Sequence, residues 1–208
     1  MKILIAISLI YLVNVTPLTC SSVAEKFKEF EIIPDILNVA PTKLLEVTYP
    51  SGAIANLGNE LTPTQVKDKP TLKWDHDDDS FYTVILSDPD APSRANPKIR
   101  EVRHWYAVNI PGNRVDDGES LFDYIGSGPP KDTGLHRYVF MVYKQTGQLE
   151  FDEPRVSNRS RTQRWNSSTL TFAEKYSLGD PIAGNFYQAQ YDDYVPILHA
   201  QLSAGNKN

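Results

Sequence analysis

Two aspartates and two histidines lie at the ends of predicted strands. Asp88 and Asp90 come at the end of the apolar run FYTVILS, which begins at Phe81, and His104 and His136 each immediately precede a further apolar run. Carboxylates accept hydrogen bonds from ammonium and imidazolium groups, and histidine titrates near neutral pH and binds anions when it is protonated. If the three strand ends meet, these side chains form a site with both acceptors and donors.

A loop rich in glycine and proline, YIGSGPPKDTGLHRY, runs from Tyr124 to Tyr138 between these strands. Glycines expose backbone N–H groups that bind anions, and prolines stiffen the chain. A phosphoethanolamine group needs both kinds of partner, because it carries an anionic phosphate and a cationic ammonium. Histidines of this kind are expected to bind anions more tightly on mild acidification, unless neighbouring carboxylates have already raised their pKa.

Each of these residues also has a purely structural interpretation. An aspartate near a proline often forms an Asx turn that ends a strand, and a histidine beside a strand is more often a hydrogen-bonded structural residue. Gly-x-Gly without a following helix is not a nucleotide-binding pattern, and neither H-E-x-x-H nor G-x-S-x-G occurs in the chain. The sequence therefore favours a binding site over a catalytic or metal site.

The elements that must position these residues are short apolar runs bounded by turn residues. Their content of aromatic and β-branched residues predicts strands. The runs are LLEVTY at Leu44, FYTVILS at Phe81, WYAVNI at Trp105, RYVFMVY at Arg137 and NFYQAQY at Asn185. Helical patterns occur over 23–30, 169–176 and 195–202, so the predicted fold is mainly β, with packed sheets and a few peripheral helices.

The composition limits the functional classes. The chain has 208 residues, 40% of them hydrophobic, which suits one domain, predicted over 23–208. A formal charge of −5 argues against nucleic acid as a partner. Nothing after the N-terminal run is apolar enough to span a bilayer, so peripheral contact is the most that we expect of a membrane.

The N-terminus reads as a secretory signal. Lys2 precedes the apolar run ILIAISLIYLV, which fits a signal peptide over 1–22 with cleavage between 20 and 24. A buried helix or an uncleaved anchor is the alternative. Cys20 is the only cysteine, so no intramolecular disulfide forms. In a secreted, extracellular protein the sequons at Asn158 and Asn166 become candidate glycosylation sites.

Four segments together carry a resemblance. DPDAPSR, REVRHWYAVNIPG, DYIGSGPPKDTGLHRYVFMVY and YDDYVPIL are similar, in order and spacing, to motifs of the phosphatidylethanolamine-binding protein family. The resemblance implies a β-sandwich-like fold with a small anion pocket at one end. Carried over by motif, the pocket residues are Asp88, Asp90, Pro92, His104, Gly128, Pro130, His136, Tyr138 and Tyr194.

One departure concerns the pocket rim. The family usually reads Arg-Glu-Trp-x-His, whereas this chain has Val102 at the tryptophan position and Arg103 after it. Loss of the ring predicts a wider mouth and weaker stacking with an aromatic ligand.

The resemblance implies a non-enzymatic protein, without cofactor, that binds phosphorylated head groups such as that of phosphatidylethanolamine. Two alternatives remain open: a secreted carrier of small hydrophobic ligands of the odorant-binding type, and an inhibitor of a serine protease. A carrier would need an apolar cavity of about 300 Å³ or more.

Overall fold

A six-stranded mixed sheet organises the computed structural model, which describes residues 22–205. The elements in chain order are α1 (Val23–Glu29), β1 (Lys43–Leu44), β2 (Glu46–Thr48), β3 (Thr71–Lys73), β4 (Phe81–Asp88), β5 (Val102–Pro111), a 3₁₀ turn (Val115–Asp117), β6 (Glu119–Phe122), β7 (His136–Lys144), α2 (Thr169–Lys175), β8 (Ala183–Ala189) and α3 (Val195–Ala204). The large sheet has the strand order β1-β8-β7-β4-β5-β6, and β2 pairs with β3 in a separate two-stranded sheet.

The centre of the large sheet is antiparallel. Strand β4 pairs on one side with β5 and on the other with β7, in both cases antiparallel, while β1 pairs with β8 in parallel. The end of β4 therefore lies beside the beginnings of β5 and β7. This arrangement brings the loops at the end of β4 and at the beginnings of β5 and β7 to the same end of the sheet.

Both faces of this sheet are buried, and the side chains alternate between two hydrophobic clusters. Val84 and Leu86 of β4 belong to the cluster that the small sheet covers, whereas Ile85 belongs to the cluster covered by α1 and α2. The period of two is that of a β-strand, and burial on both faces explains the nearly continuous apolar runs in the sequence. Helix α1 buries a single ring, Phe27, and α2 buries Phe172 together with Thr169 and Ala173.

The predicted mainly β fold with a few short helices is confirmed, and all three helices begin at the predicted residue. The strand assignments need correction in three places. The run LLEVTY forms two strands in different sheets, because the chain leaves β1 after Leu44 and pairs again with β3. Strand β5 begins at Val102 and β7 at His136, so both histidines lie within strands. The short strands β3 and β6 were not predicted.

Within residues 22–205, no helix is both long and apolar enough to cross a membrane. The predicted signal peptide and Cys20 lie outside the described residues. Asn158 and Asn166 are exposed, on the irregular segment between β7 and α2.

Candidate functional site

A cavity of about 160 Å³ opens where β4 ends and β5 and β7 begin. Two further walls come from the irregular segment that precedes α2 and from α3. Six of the nine residues proposed from the sequence line the cavity: Asp88, Pro92, His104, Gly128, Pro130 and His136. The antiparallel order β7-β4-β5 explains why residues so distant in the chain meet at this end of the sheet.

His104 reaches the cavity through an irregularity in β5. The ladder passes from the pair Leu86 and Trp105 to the pair Ser87 and Arg103, so His104 is an extra residue on its strand. Such a bulge re-aims the side chain. The ring stands edge-on to the Tyr138 ring, with 5.1 Å between centroids.

Asp88 and His136 form a buried pair on the cavity floor. His136 Nδ1 lies 2.9 Å from Asp88 Oδ2, and both side chains are almost fully buried. Asp88 Oδ1 accepts a hydrogen bond from the backbone N–H of Asp90 at 2.7 Å, so this aspartate also forms the Asx turn considered as its structural alternative.

The hydrogen bonds around His136 specify its charge. The Thr133 hydroxyl donates to the carbonyl oxygen of Pro130 at 2.7 Å, so it can only accept from His136 Nε2, 3.0 Å away. In this arrangement both ring nitrogens of His136 act as donors, one to Thr133 and one to Asp88, which favours the imidazolium form. Burial opposes this charge, but the hydrogen bond and the charge of Asp88 raise the pKa of His136 above its ordinary value.

His104 has the opposite character. Burial lowers the pKa of His104 to about 4, against the opposing charge of Asp88. Its Nδ1 lies 3.2 Å from the carbonyl oxygen of Ile125 and donates to it, so in the neutral ring Nε2 is an acceptor. Neither histidine keeps an ordinary pKa. The exception expected from neighbouring carboxylates applies to His136, and burial shifts His104 the other way.

Asp90 does not line this cavity. It is 1% exposed, and its carboxylate binds the side chain of Arg137 at 2.6 and 2.9 Å and the backbone N–H of Arg137 at 2.8 Å. Arg137 also binds Asp35 and the carbonyl oxygens of Phe30 and Glu31, which ties α1 to the sheet. Asp90 borders a separate, more open depression of about 390 Å³. Its contacts are those of a structural ion pair.

Two proposed tyrosines lie behind the cavity. Tyr138 is fully buried and stacks on Tyr187 at 5.1 Å, and its hydroxyl has no hydrogen-bond partner within residues 22–205. Tyr194 precedes α3 and packs against the small cluster of Ile125, Leu198 and Leu202. Tyr194 packs beside α3, which forms a wall of the cavity, and Tyr194 itself does not line the cavity.

Sequence reasoning missed two walls of the cavity. They are formed by Arg161, Arg164 and Trp165 from the segment before α2, and by Leu198, His199 and Leu202 from α3. His199 Nε2 donates to the carbonyl oxygen of Gly128 at 3.0 Å, and a Cβ at Gly128 would come within 3.0 Å of Leu198. A signal was present in the sequence, because residues 154–173 contain four arginines and no acidic residue in a chain of net charge −5.

Arg164 is the unusual cation of this wall. It is 1% exposed, and among the described residues its guanidinium donates to five backbone carbonyl oxygens and to no carboxylate. Burial lowers the pKa of Arg164 to about 10, which leaves it charged at neutral pH. Asp88 is the one acidic residue among the described residues that line the cavity. With Arg161 and His136, the lining carries more positive than negative charge.

The described residues offer no candidate metal-binding site. Within the part of the chain that the structure describes, no group of three or more His, Cys, Asp or Glu side chains is arranged to hold a metal ion.

Comparison with known proteins identifies the fold and sequence relatives. The sequence model of the family described as phosphatidylethanolamine-binding protein matches residues 50–188. The Drosophila melanogaster protein named "Putative odorant-binding protein A5" is 41% identical over 175 residues, 84% of this chain and 83% of that protein. The solution structure of CG7054 is 48% identical with a TM-score of 0.68, and the match covers 83% of this chain and 98% of that one.

A further similar structure is a crystal structure of carboxypeptidase Y inhibitor complexed with its cognate proteinase. It is 25% identical with a TM-score of 0.70, and the match covers 81% of this chain and 95% of that one. The residues matched by the family include the three strands that meet at the cavity.

Proposed function

This chain belongs to the phosphatidylethanolamine-binding protein family, and from that premise we propose that it is a secreted, non-enzymatic protein that binds small phosphorylated head groups in the cavity at the end of β4. The phosphoethanolamine group of phosphatidylethanolamine is the ligand chemistry that fits best. The secreted location rests on the N-terminal apolar run, and N-terminal sequencing of protein collected from culture medium tests it.

One observation carries this proposal: among the described residues that line the cavity, the three side chains Arg161, Arg164 and His136 accompany a single carboxylate, Asp88. Arg164 is buried and donates its hydrogen bonds to carbonyl oxygens, and Asp123, whose charge acts on it, does not line the cavity, so we expect the Arg164 charge to act on an occupant of the cavity. In a poorly solvated site this favours an anion more strongly than it would in water. The His136 charge is balanced by Asp88, which leaves Arg161 and Arg164 in excess.

The acceptors support the other end of the zwitterion. Neutral His104 offers a lone pair at Nε2, and Asp88 offers carboxylate oxygens beside it. An ammonium or hydroxyl donor complements both groups. His136 has both nitrogens engaged by Asp88 and Thr133, so it contributes charge to the site and no free N–H.

Calorimetric titration with O-phosphorylethanolamine tests the proposal. We expect Arg161→Gln to weaken binding by roughly fivefold, because one partly screened charge is worth about 1 kcal/mol. The matched control is Arg94→Gln, which removes an arginine from the separate depression that Asp90 borders and should leave the affinity unchanged. Absence of binding by the wild-type protein between pH 5 and pH 8 would refute the proposal.

A second candidate is a carrier of small hydrophobic molecules. It is favoured by the apolar wall that Trp165, Leu198 and Leu202 give the cavity, and by the name of the Drosophila relative. The volume of about 160 Å³ is below the range usual for drug-sized ligands, which limits such cargo to very small molecules. Displacement of a fluorescent hydrophobic probe by uncharged volatiles, and not by O-phosphorylethanolamine, would favour the carrier.

Protease inhibition, the remaining alternative, would appear as reduced protease turnover without displacement of the probe.

A further inference from the structure

We propose that Trp165 is the specificity-determining wall of the cavity, and that it selects small anions carrying a flat apolar arm, such as an aryl group. The inference rests on the proposed anion-binding function and names the ligand class of that site. The sequence predicted weak stacking because Val102 stands at the position of a family tryptophan. Trp165, from a different segment, lines the same cavity as Val102 and supplies an aromatic ring there.

Backbone pairing fixes Trp165 beside Val102. The segment around Trp165 runs alongside the beginning of β5 and exchanges hydrogen bonds with it on both sides of these two residues. The bonds are Arg103 N to Arg164 O at 2.8 Å, Glu101 N to Ser167 O at 2.9 Å, Ser167 N to Glu101 O at 3.2 Å and Asn166 N to Ile99 O at 3.2 Å. Trp165 therefore has a defined backbone position, as an ordered part of the cavity wall requires.

Arg164 is a positioning residue for this wall. Its side chain donates to carbonyl oxygens of β5, of the residues after β6 and of its own segment, including Arg103, Asp123 and Ser160. These contacts hold the segment against the sheet immediately before Trp165. A side chain that is 1% exposed and bound at five carbonyls costs far more to move than an ordinary surface arginine.

The exposure of Trp165 distinguishes it from the other tryptophans. Trp165 is 43% exposed, whereas Trp74 and Trp105 are 6% and 3% exposed and belong to the hydrophobic core. The ring lies on the cavity lining together with Leu198 and Leu202, which are buried. A partly exposed ring on an otherwise apolar wall offers a face that a ligand can cover.

Two kinds of side chain in the cavity lining define the ligand. Arg161 and Arg164 favour an anionic group, and Trp165 with the leucines of α3 favours an apolar one. The volume of about 160 Å³ admits a small arm only. Within the class of small phosphates we therefore assign the site a preference for a compact aryl group over no apolar arm, and phenyl phosphate represents this class as a probe.

The test compares phenyl phosphate with inorganic phosphate on the full folded protein, followed by NMR at the ring protons of His104. We expect phenyl phosphate to bind about 2- to 12-fold more tightly, the range that one aromatic contact contributes. Trp165→Ala should remove this preference, so that the two phosphates bind the variant with equal affinity. Trp165→Phe should retain it, and Ile197→Ala, which removes an exposed apolar side chain of α3 outside the cavity lining, should have no effect.

The outcomes separate this inference from the function on which it rests. If both phosphates bind the wild type equally, or if Trp165→Ala keeps the preference, the inference is overturned while anion binding stands. If neither phosphate binds and benzyl alcohol does, the anionic ligand class and the proposed function both fail. Saturable binding of inorganic phosphate by Trp165→Ala also shows that this variant is folded.

Discussion

His104 should make the protein sensitive to acid in a defined window. Its pKa is lowered by burial from 6.5 to about 4. Between these pH values His104 is protonated in the unfolded chain and neutral in the folded protein. Its contribution to the free energy of unfolding is therefore complete above pH 6.5 and is lost as the pH falls toward 4. At about 1.4 kcal/mol per pH unit, the loss is roughly 3 kcal/mol of unfolding free energy.

The assay is urea unfolding of wild type and His104→Asn at several values between pH 4 and pH 7. Asparagine can keep a donor for the carbonyl oxygen of Ile125 and does not titrate. We expect the wild type to lose roughly 3 kcal/mol more than the variant over this range. The carboxylates are common to both proteins and cancel in the comparison. His136 is likewise common to both proteins and cancels; its raised pKa gives a contribution that is present below pH 6.5 and is lost as the pH rises through the folded pKa.

Parallel curves for the two proteins would refute this account of His104. So would an NMR titration of its ring protons with a midpoint near 6.5, which would show that the ring is hydrated and titrates freely. The chain has four histidines, so their resonances are few enough to assign by single substitutions.

Three further predictions concern stability and modification. Asp90→Asn should lower the free energy of unfolding in urea by about 3–5 kcal/mol, because it breaks a buried ion pair with Arg137. The folded variant should still bind O-phosphorylethanolamine. Lost binding with an intact fold would contradict our placement of Asp90. Gly184→Ala should lower the free energy of unfolding by about 1–3 kcal/mol, since its Cβ would lie 2.6 Å from Pro41 and 2.9 Å from Phe27. The control Gly147→Ala has open space around the new Cβ and should be nearly neutral in the same assay. Equal losses of unfolding free energy would argue against the close packing around Gly184. Asn158→Gln and Asn166→Gln should each remove one glycan from protein secreted by insect cells. Each loss appears as a stepwise decrease in the mass of the protein. Absence of a glycan-sized mass difference between both variants and the wild type would exclude glycosylation at these positions.

The sequence was sufficient to predict the helices and the central strands because their apolar patterns are local. It also placed Asp88, His104 and His136 at strand ends and left their meeting open; the family resemblance implied a common pocket, and the antiparallel order of the sheet explains how these ends meet. The run LLEVTY was misassigned because its split between two sheets depends on partners more than 20 residues away. Periodicity does not contain that information.

The cavity wall before α2 could not be derived from local patterns. Arg164 looks like a surface cation in the sequence, and it is buried only because carbonyl oxygens from several distant segments converge on it. Trp165 reaches the cavity through backbone pairing with β5, in a segment without regular secondary structure. The opposite pKa shifts of the two histidines likewise depend on burial and on the Asp88 contact, which appear only in three dimensions.

A crystal structure of the protein soaked with O-phosphorylethanolamine tests the central claim most directly. The account predicts the phosphate inside the cavity beside Gly128 and on the side of Arg161 and Arg164, with the amine toward His104 and Asp88. Density for the ligand in the depression around Arg94 and Arg137, or no density at saturating concentration, would contradict it.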